Sequence, residues 1–249
     1  MSWPVVVTRD ESRDGPLSRE LRALGLEVLG WPVLSIGPVG DAGPLEQALR
    51  HLNEFEWLVF ASQHAVSELV RRVPVPPAYL NIAAVGARTA QALSRAGWRV
   101  TAVPEEETAA GLVEILRPQL KPGMRVLFAA GSRSLPTLRE GLTAAGAHVT
   151  QVEAYSSQPQ PLDVPACHDW VQRRAVGAVT FTSPSAVAEL DRALGAAAFE
   201  ALLEGATPIT LGTTTGRTLA SRGFPSVLAM PATLTGMAHT SLRVISTRA

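Results

Sequence analysis

The sequence predicts an α/β protein with two similar doubly wound domains and mostly parallel sheets. Short, continuously apolar runs such as Trp57-Leu58-Val59-Phe60 indicate strands that are buried on both faces. These runs alternate with stretches whose apolar residues recur every three or four positions, as in helices. The clearest of these are Leu17, Leu21 and Leu24, and Leu135, Leu138 and Leu142. The whole pattern also occurs twice, which predicts an internal duplication.

The first two elements of the duplicated module recur at a shift of 121 residues. Val5-Val6-Val7 corresponds to Val126-Leu127-Phe128, and each run predicts a strand. Leu24-Gly25 and Val28 correspond to Ala145-Gly146 and Val149, so each copy reads as strand, helix, glycine stop and strand. The stretch 59–66 likewise matches 180–187 at the same shift.

A third element recurs at a shift of 126 residues, where Ala84-Val85-Gly86 matches Thr210-Leu211-Gly212. Glycines at positions 25, 97, 146 and 223 follow the predicted helices, where a left-handed cap is commonly needed. Proline and glycine interrupt the pattern at 30–44 and 156–165, and we interpret these segments as linkers. These patterns do not decide which strand–helix–strand unit packs in which domain.

Composition excludes several classes of protein. The 22 basic and 22 acidic residues among 249 cancel, so no general field attracts nucleic acid or an anionic membrane. Cys167 is the single cysteine, which fits a reducing compartment, and we expect a cytoplasmic location. We find no signal-peptide core and no membrane-spanning run in the sequence. Lys121 is the single lysine, which disfavours Schiff-base chemistry and a lysine-bearing phosphate loop.

Hydroxyls and glycines follow the predicted strands, where ligands bind in doubly wound folds. Four such segments fall at expected helix starts, whose unpaired N–H groups favour carboxylates or phosphates. They are Ser62-Gln63-His64, Gly86-Ala87-Arg88-Thr89, Ser183-Pro184-Ser185 and Gly212-Thr213-Thr214-Thr215. Helix capping alone explains serine and threonine at these positions, and both interpretations stay open.

Other candidate sites are weaker. Cys167-His168-Asp169 has the residue types of a nucleophilic triad, but consecutive residues rarely converge. The five histidines lack metal-ligand spacing, so we predict no metal, and no dinucleotide or phosphate-loop motif is present. Tyr155 ends the first unit of the second copy, where its phenol closes a strand edge or donates a proton in a cleft.

Taken in order, these residues resemble uroporphyrinogen-III synthases. The resemblance rests on Thr8-Arg9 after the first strand, Phe60-Ala61-Ser62, Val85-Gly86 with Thr89, the segment from Phe128 to Arg133, Tyr155 before the linker, Phe181 to Ser185, and Leu211-Gly212 with Thr214-Thr215. It spans nearly the whole chain, and the order and spacing of these motifs carry the identification.

The resemblance implies two α/β domains joined by a two-stranded linker, with the active-site cleft between them. It assigns residues 1–33 and 159–249 to one domain and 37–153 to an inserted domain, with linkers at about 33–37 and 153–159. It also implies that no metal or organic cofactor is needed. We expect a monomer that receives its substrate by transient hand-over from hydroxymethylbilane synthase.

The resemblance further implies a hydro-lyase that cyclises hydroxymethylbilane with loss of water and inversion of ring D, giving uroporphyrinogen III for heme, siroheme and cobalamin. Tyr155 is then the catalytic residue. The expected substrate-binding residues are Thr8, Arg9, Ser62, Gln63, His64, Gly86, Arg88, Thr89, Gly131, Ser132, Arg133, Ser183, Pro184, Ser185, Gly212, Thr213, Thr214 and Thr215.

Two other functional classes fit parts of the sequence. A two-domain binding protein or regulator for a polycarboxylate ligand would need the same hinge and the same helix starts. A nucleotide-dependent transferase would need a phosphate loop, which the sequence lacks. Product formation separates the enzyme from the binding protein.

Overall fold

A computed structural model describes residues 3–248 of the chain. The chain forms two compact units. The first contains the chain up to Ser35 together with the chain from Gln158 onward, and the second contains Ile36–Ser157.

The first unit has a five-stranded sheet among the described residues, in the order β10-β9-β8-β1-β2. Its strands are β1 (Val5–Val7), β2 (Val28–Gly30), β8 (Ala178–Phe181), β9 (Thr207–Thr210) and β10 (Val227–Leu228). Its helices are α1 (Pro16–Ala23), α7 (Val164–Gln172), α8 (Pro184–Leu194), α9 (Ala196–Gly205), α10 (Thr213–Ala220) and α11 (Leu234–Ser246). All four strand pairings in this sheet are parallel.

The second unit contains a sheet in the order β3-β7-β6-β4-β5. Its strands are β3 (Leu34–Gly37), β4 (Trp57–Phe60), β5 (Asn81–Ala84), β6 (Arg125–Gly131) and β7 (His148–Pro159), and β3 and β7 both continue across the unit boundary. Its helices are α2 (Gly43–Arg50), α3 (Gln63–Arg72), α4 (Ala87–Arg95), α5 (Ala109–Leu116) and α6 (Thr137–Ala144), with short 3-10 turns at Leu52–Glu54 and Arg117–Gln119.

Each sheet combines strands from both copies of the duplicated module. In the first unit, β1 and β2 of the first copy lie beside β8, β9 and β10 of the second. In the second unit, β6 and β7 of the second copy lie beside β4 and β5 of the first. The copies have therefore exchanged their first strand–helix–strand units.

Helices cover both faces of each sheet, as the continuously apolar strands predict. Val6 packs in one apolar cluster with residues of α7, α8 and α9, whereas Val5 and Val7 pack in another with residues of α1 and α11. In the second unit, Phe60 faces residues of α2, α3 and α4, and Val59 faces residues of α5 and α6. The predicted doubly wound α/β class is confirmed.

The four predicted glycine caps are also confirmed. Gly25, Gly97, Gly146 and Gly223 have φ angles of 78°, 78°, 96° and 85°, in the left-handed region that favours glycine. Each lies two or three positions after the end of a helix, so the helices stop where the sequence predicts.

Some boundaries differ from the sequence interpretation. The proposed linkers are partly ordered: 30–44 includes β3 and the start of α2, and 156–165 includes the end of β7 and the start of α7. Their prolines are compatible with this because Pro44 and Pro165 lie in first helical turns. Leu135 precedes α6 and is 54% exposed, so its assignment to the apolar helix face is wrong.

Candidate active site

Three predicted segments meet at the carboxyl edge of the second sheet. Phe60 pairs with Ala84 on one side and with Ala129 on the other, so the residues two positions after each of these lie at one level. Ser62, Gly86 and Gly131 therefore lie along the same edge. Ser62 and Gly86 are the N-caps of α3 and α4, as predicted.

Tyr155 lies over Gly131 at this edge. The two residues are paired in register, just after an irregularity between β6 and β7. A Cβ atom at position 131 would lie 2.5 Å from the Tyr155 Cζ and 2.6 Å from its hydroxyl oxygen. Glycine at this position is what leaves room for the phenol ring.

Ser62 connects the phenol to the start of α3. Its Oγ accepts a hydrogen bond from the His64 backbone N–H at 3.1 Å and is also hydrogen bonded to the Tyr155 side chain. The Ser62 Oγ uses a lone pair to accept the hydrogen bond at the start of α3. The Ser62 hydroxyl hydrogen is therefore available for a hydrogen bond to the Tyr155 phenol oxygen. The His64 ring lies 5.4 Å from the Tyr155 ring, measured between centroids.

Burial raises the pKa of Tyr155 above the ordinary tyrosine value, and the hydrogen bond from Ser62 opposes this shift. Burial is the larger influence, so the phenol keeps its proton at neutral pH. A half-buried, protonated phenol beside a hydroxyl donor is suited to donate a proton or a hydrogen bond to a substrate oxygen.

Ser132 and Arg133 fasten the turn after β6 to β7. The Ser132 Oγ accepts from the Ser157 backbone N–H at 2.9 Å, and Arg133 Nε donates to the Ser157 carbonyl at 3.1 Å. The Ser132 N–H donates to the Tyr155 carbonyl at 3.1 Å. These contacts of Ser132 and Arg133 fix the backbone from Tyr155 to Ser157.

The other predicted residues of this edge differ in exposure. Gln63 and Arg88 are half-buried in the first turns of α3 and α4, whereas Thr89 is buried. The Glu107 carboxylate lies against Gly86, since a Cβ there would be 2.6 Å from Glu107 Oε2. The start of α4 thus already has an acidic neighbour from the same chain.

In the first unit, Thr8 and Arg9 are held by neighbouring residues. The buried Thr8 hydroxyl donates to the Thr180 carbonyl at 2.8 Å. Arg9 Nε lies 3.0 Å from Glu11 Oε2, and the Glu11 side chain is only 3% exposed. Glu11 also accepts from the Ser18 backbone N–H at 2.7 Å, so it occupies the start of α1.

The start of α8 is capped as the sequence predicts. Ser183 Oγ accepts from the Ala186 backbone N–H at 3.2 Å and lies 3.1 Å from the Ser185 Oγ. Pro184 occupies the first helical position, where its missing N–H costs nothing. All three predicted residues are half-buried at the same strand edge.

The start of α10 is the least occupied of the predicted helix starts. Gly212 is its N-cap and makes no side-chain cap, and a Cβ at this position would meet nothing within 4 Å. Thr213 is exposed, Thr214 is half-buried and Thr215 is buried. Backbone N–H groups at a helix start of this kind favour an anion.

A groove beside Tyr155 contains residues that the sequence analysis missed. It has a volume of about 690 Å³. Its walls are Ile36, Gly37, Pro38, His64, Ser67, Glu68, Arg71, Arg72 and Tyr155. The signal was present in the sequence, because positions 64, 67, 68 and 71 share one face of a helix.

The Cys167-His168-Asp169 segment does not form a catalytic triad. These are consecutive residues of α7, and His168 Nε2 lies 3.0 Å from the Leu194 carbonyl oxygen. Cys167 is buried rather than at the surface, and burial, with a smaller effect of Asp163, raises the pKa of its thiol to about 12. The thiol is therefore a packing group.

Metal-binding clusters and membrane-spanning helices are both absent from residues 3–248. Within that range, no three His, Cys, Asp or Glu side chains group so that they could hold a metal ion. None of the helices in the same range has both the length and the apolar character that a membrane span requires.

Comparisons with known proteins agree with the resemblance. The family model HEM4, uroporphyrinogen-III synthase HemD, matches residues 15–239. The uroporphyrinogen-III synthase of Synechococcus elongatus is 34% identical over 195 residues, covering 74% of this chain and 71% of that protein. The enzyme of the same name from Chlorobaculum parvum is 27% identical over 228 residues, covering 88% and 89%.

Solved structures share the fold. A mutant uroporphyrinogen III synthase from Thermus thermophilus has a TM-score of 0.77 at 22% identity, covering 99% of this chain and 100% of that one. The Helicobacter pylori enzyme has a TM-score of 0.57 at 19% identity, covering 97% and 99%. With the family model spanning most of the sequence, these findings show that the chain belongs to the uroporphyrinogen-III synthase family.

Proposed function

We propose that the Tyr155 edge of the second unit is the catalytic site of a uroporphyrinogen-III synthase reaction. The observation that carries this proposal is the convergence of Tyr155, Ser62 and Gly131. The sequence indicates these three residues separately, and Ser62 and Gly131 both lie next to the Tyr155 phenol. The substrate is hydroxymethylbilane, as the family implies, and the product is uroporphyrinogen III.

Tyr155 acts at the loss of water. The bond between the hydroxymethyl carbon and its oxygen breaks while a pyrrole nitrogen supplies electrons, which leaves an azafulvene cation. The Tyr155 O–H donates its proton to the departing hydroxide, so water leaves. Ser62 donates a hydrogen bond to the phenolate that forms and lowers the cost of this transfer.

The phenol recovers its proton later in the same cycle. The cation is attacked by the substituted carbon of ring D, and the resulting spiro intermediate fragments and recloses with the ring inverted. The last closure restores an aromatic pyrrole and releases one proton, which can return to the phenolate. Overall, one substrate gives one macrocycle and one water.

The helix starts are proposed to bind the carboxylates of the substrate. The start of α10, at Gly212 with Thr213 and Thr214, gives the strongest support, because its N-cap is a glycine with open space around it. Ser183 and Ser185 at α8 add hydroxyl donors. Thr8 and Arg9 already bind Thr180 and Glu11 in the first unit. We propose that they support the carboxyl edge of the first sheet.

We also propose that the two compact units correspond to the two domains of the family, with crossings at about 33–37 and 153–159. Support comes from the unit boundaries, which fall after Ser35 and after Ser157. The hand-over from hydroxymethylbilane synthase, the monomeric state and the cytoplasmic location stay predictions.

The test is the isomer of the product. Hydroxymethylbilane is generated in situ, the reaction is stopped and oxidised, and the macrocycles are separated by chromatography. We expect mainly the type III isomer, because the uncatalysed reaction gives type I. Type I product alone, at the uncatalysed rate with folded protein, would contradict catalysis and favour a polycarboxylate-binding protein.

A further inference from the structure

One face of α3 lines the groove beside Tyr155 with polar and charged side chains. His64, Ser67, Glu68 and Arg71 follow the spacing i, i+3, i+4 and i+7, and all four contribute to the wall. From His64 to Arg71 the helix rises by about 10 Å. The face therefore begins at the proposed catalytic residue and extends away from it.

The net charge of this face, taken together with Arg72, is positive, and ion pairs hold its charged side chains in place. Glu68 pairs with both Arg71 and Arg72, and Arg72 Nη1 also donates to the Glu68 carbonyl at 2.9 Å. The Glu68 side chain is 17% exposed and that of Arg71 is 67% exposed. One carboxylate compensates two guanidinium groups, and each guanidinium has more N–H donors than these contacts use.

A ligand that reaches the Tyr155 phenol borders this face, because Tyr155 is part of the groove wall. The family's substrate is an octacarboxylate whose acetate and propionate arms extend from each pyrrole ring. Arginine binds carboxylates through paired, parallel hydrogen bonds. An arginine held by an ion pair on its own helix loses less side-chain freedom when such an arm binds.

We propose that this α3 face, formed by His64, Ser67, Glu68 and Arg71, is together with Arg72 a subsite for the side-chain carboxylates of the pyrrole ring next to the reacting carbon. This inference rests on the proposed function and adds residues to it. Arg71 is the principal carboxylate ligand, and Glu68 positions both arginines.

The first measurement is steady-state kinetics of Arg71→Gln with hydroxymethylbilane. We expect KM to rise about tenfold, as for the loss of a charge-assisted hydrogen bond, while kcat changes less than about twofold and type III product is retained. Arg117→Gln is the matched control, because Arg117 also pairs with a glutamate three residues before it, in the same unit. Equal kinetics for the two variants would overturn the subsite.

The second measurement does not depend on turnover. Binding of uroporphyrin III, the fluorescent oxidised macrocycle, is titrated in the wild-type protein, Arg71→Gln and Arg117→Gln at two salt concentrations. We expect Arg71→Gln alone to weaken binding about tenfold and to reduce the salt dependence. Unchanged binding would reject the subsite even if type III product forms, and weakened binding would support it even if the protein yields type I alone.

Discussion

The two copies of the module share a backbone plan but differ at the residues around the phenol. At the shift of 121, Tyr155 corresponds to Leu34 and Gly131 corresponds to Asp10. Leu34 is buried in an apolar cluster, and Asp10 accepts a hydrogen bond from Gln160 at 2.9 Å. One edge thus presents a phenol over a glycine, whereas the equivalent positions of the other edge hold a buried leucine and an exposed, hydrogen-bonded aspartate. The repeated residues therefore determine the shared fold, whereas the proposed catalytic residue Tyr155 is not repeated.

The helix starts show the reverse asymmetry. Gly86 has Glu107 against it, whereas the equivalent Gly212 has no atom near its missing side chain. An acidic neighbour at a helix start competes with a bound carboxylate. The two units therefore differ: the second contains the phenol, and the first contains the helix start with more open space around its N-cap glycine.

The largest expected effect is at the phenol itself. Tyr155→Phe removes the proton donor and keeps the ring, so we expect kcat to fall by about a hundredfold to ten-thousandfold with the fold intact. Tyr79→Phe is the control, since Tyr79 is 57% exposed and outside the site. Isomer-resolved kinetics are the measurement, and an unchanged rate of type III formation would remove Tyr155 from the mechanism.

Gly131→Ala closes the space under the Tyr155 ring. It therefore makes the carboxyl edge of the second sheet more like the equivalent edge of the first sheet. The methyl group would lie 2.5 Å from the Tyr155 Cζ, so the ring must shift. A displacement of this size should lower kcat by about a hundredfold, and overpacking should cost about 1–3 kcal/mol in the free energy of unfolding. Gly30→Ala is the control, because a Cβ there meets nothing within 4 Å. Equal kcat values for the two variants would contradict a close fit.

Ser62→Ala separates capping from the support of the phenol. Losing the cap should cost about 1 kcal/mol in the free energy of unfolding, as should Thr108→Ala, which removes the cap of α5 in the same unit. Ser62→Ala, unlike Thr108→Ala, should also lower kcat, by about tenfold, because the Ser62 hydroxyl is hydrogen bonded to the phenol. Equal kcat losses in both variants would mean that the effect is structural.

Absorbance titration of tyrosinate gives a second readout for Ser62. In a Tyr79→Phe background Tyr155 is the single tyrosine, and its pKa should lie above 10 and rise further with Ser62→Ala. At pH values near and above 10, the folded protein keeps the Tyr155 phenol proton, whereas the unfolded chain loses it. The free energy of unfolding should therefore fall as pH rises beyond about 10. A Tyr155 pKa at or below the ordinary value would contradict the burial of the phenol.

The smallest expected effect is at Glu107. Glu107→Gln makes the start of α4 more like that of α10, so KM should fall by about twofold while the free energy of unfolding falls by about 0.3–1 kcal/mol. Glu105→Gln, an exposed neighbour on the same loop, is the control. A higher KM in Glu107→Gln would mean that this carboxylate helps to bind the substrate.

Sequence reasoning predicted the fold well where the signal is local. Glycine caps, serine and threonine caps and buried strands each depend on a few neighbouring residues, and Ser62, Ser183 and Thr108 cap their helices in the structure. The order of the strands could not be derived from these patterns. Pairing of β1 with β8 joins residues more than 170 positions apart and needed the resemblance.

For the same reason, the sequence indicated single residues of the candidate site but not the contacts among them. Tyr155, Ser62 and Gly131 were identified singly, but the pairing of Tyr155 with Gly131 depends on a register irregularity between β6 and β7. The acidic neighbours Glu11 and Glu107 were missed as partners of helix starts, because loop conformation brings them there. Arg71 was missed because it lies two turns along a helix face, away from any strand end.

The exchange of strands between the copies has a consequence for synthesis on the ribosome. Ile36–Ser157 is continuous and can complete its own sheet as soon as β7 has emerged. β1 lies between β2 and β8, so this early strand lacks one partner until β8 has been made. Closing so long a loop is slow, and the apolar strand Val5–Val7 is exposed meanwhile. This early strand is thus among the last of its sheet to gain both neighbours.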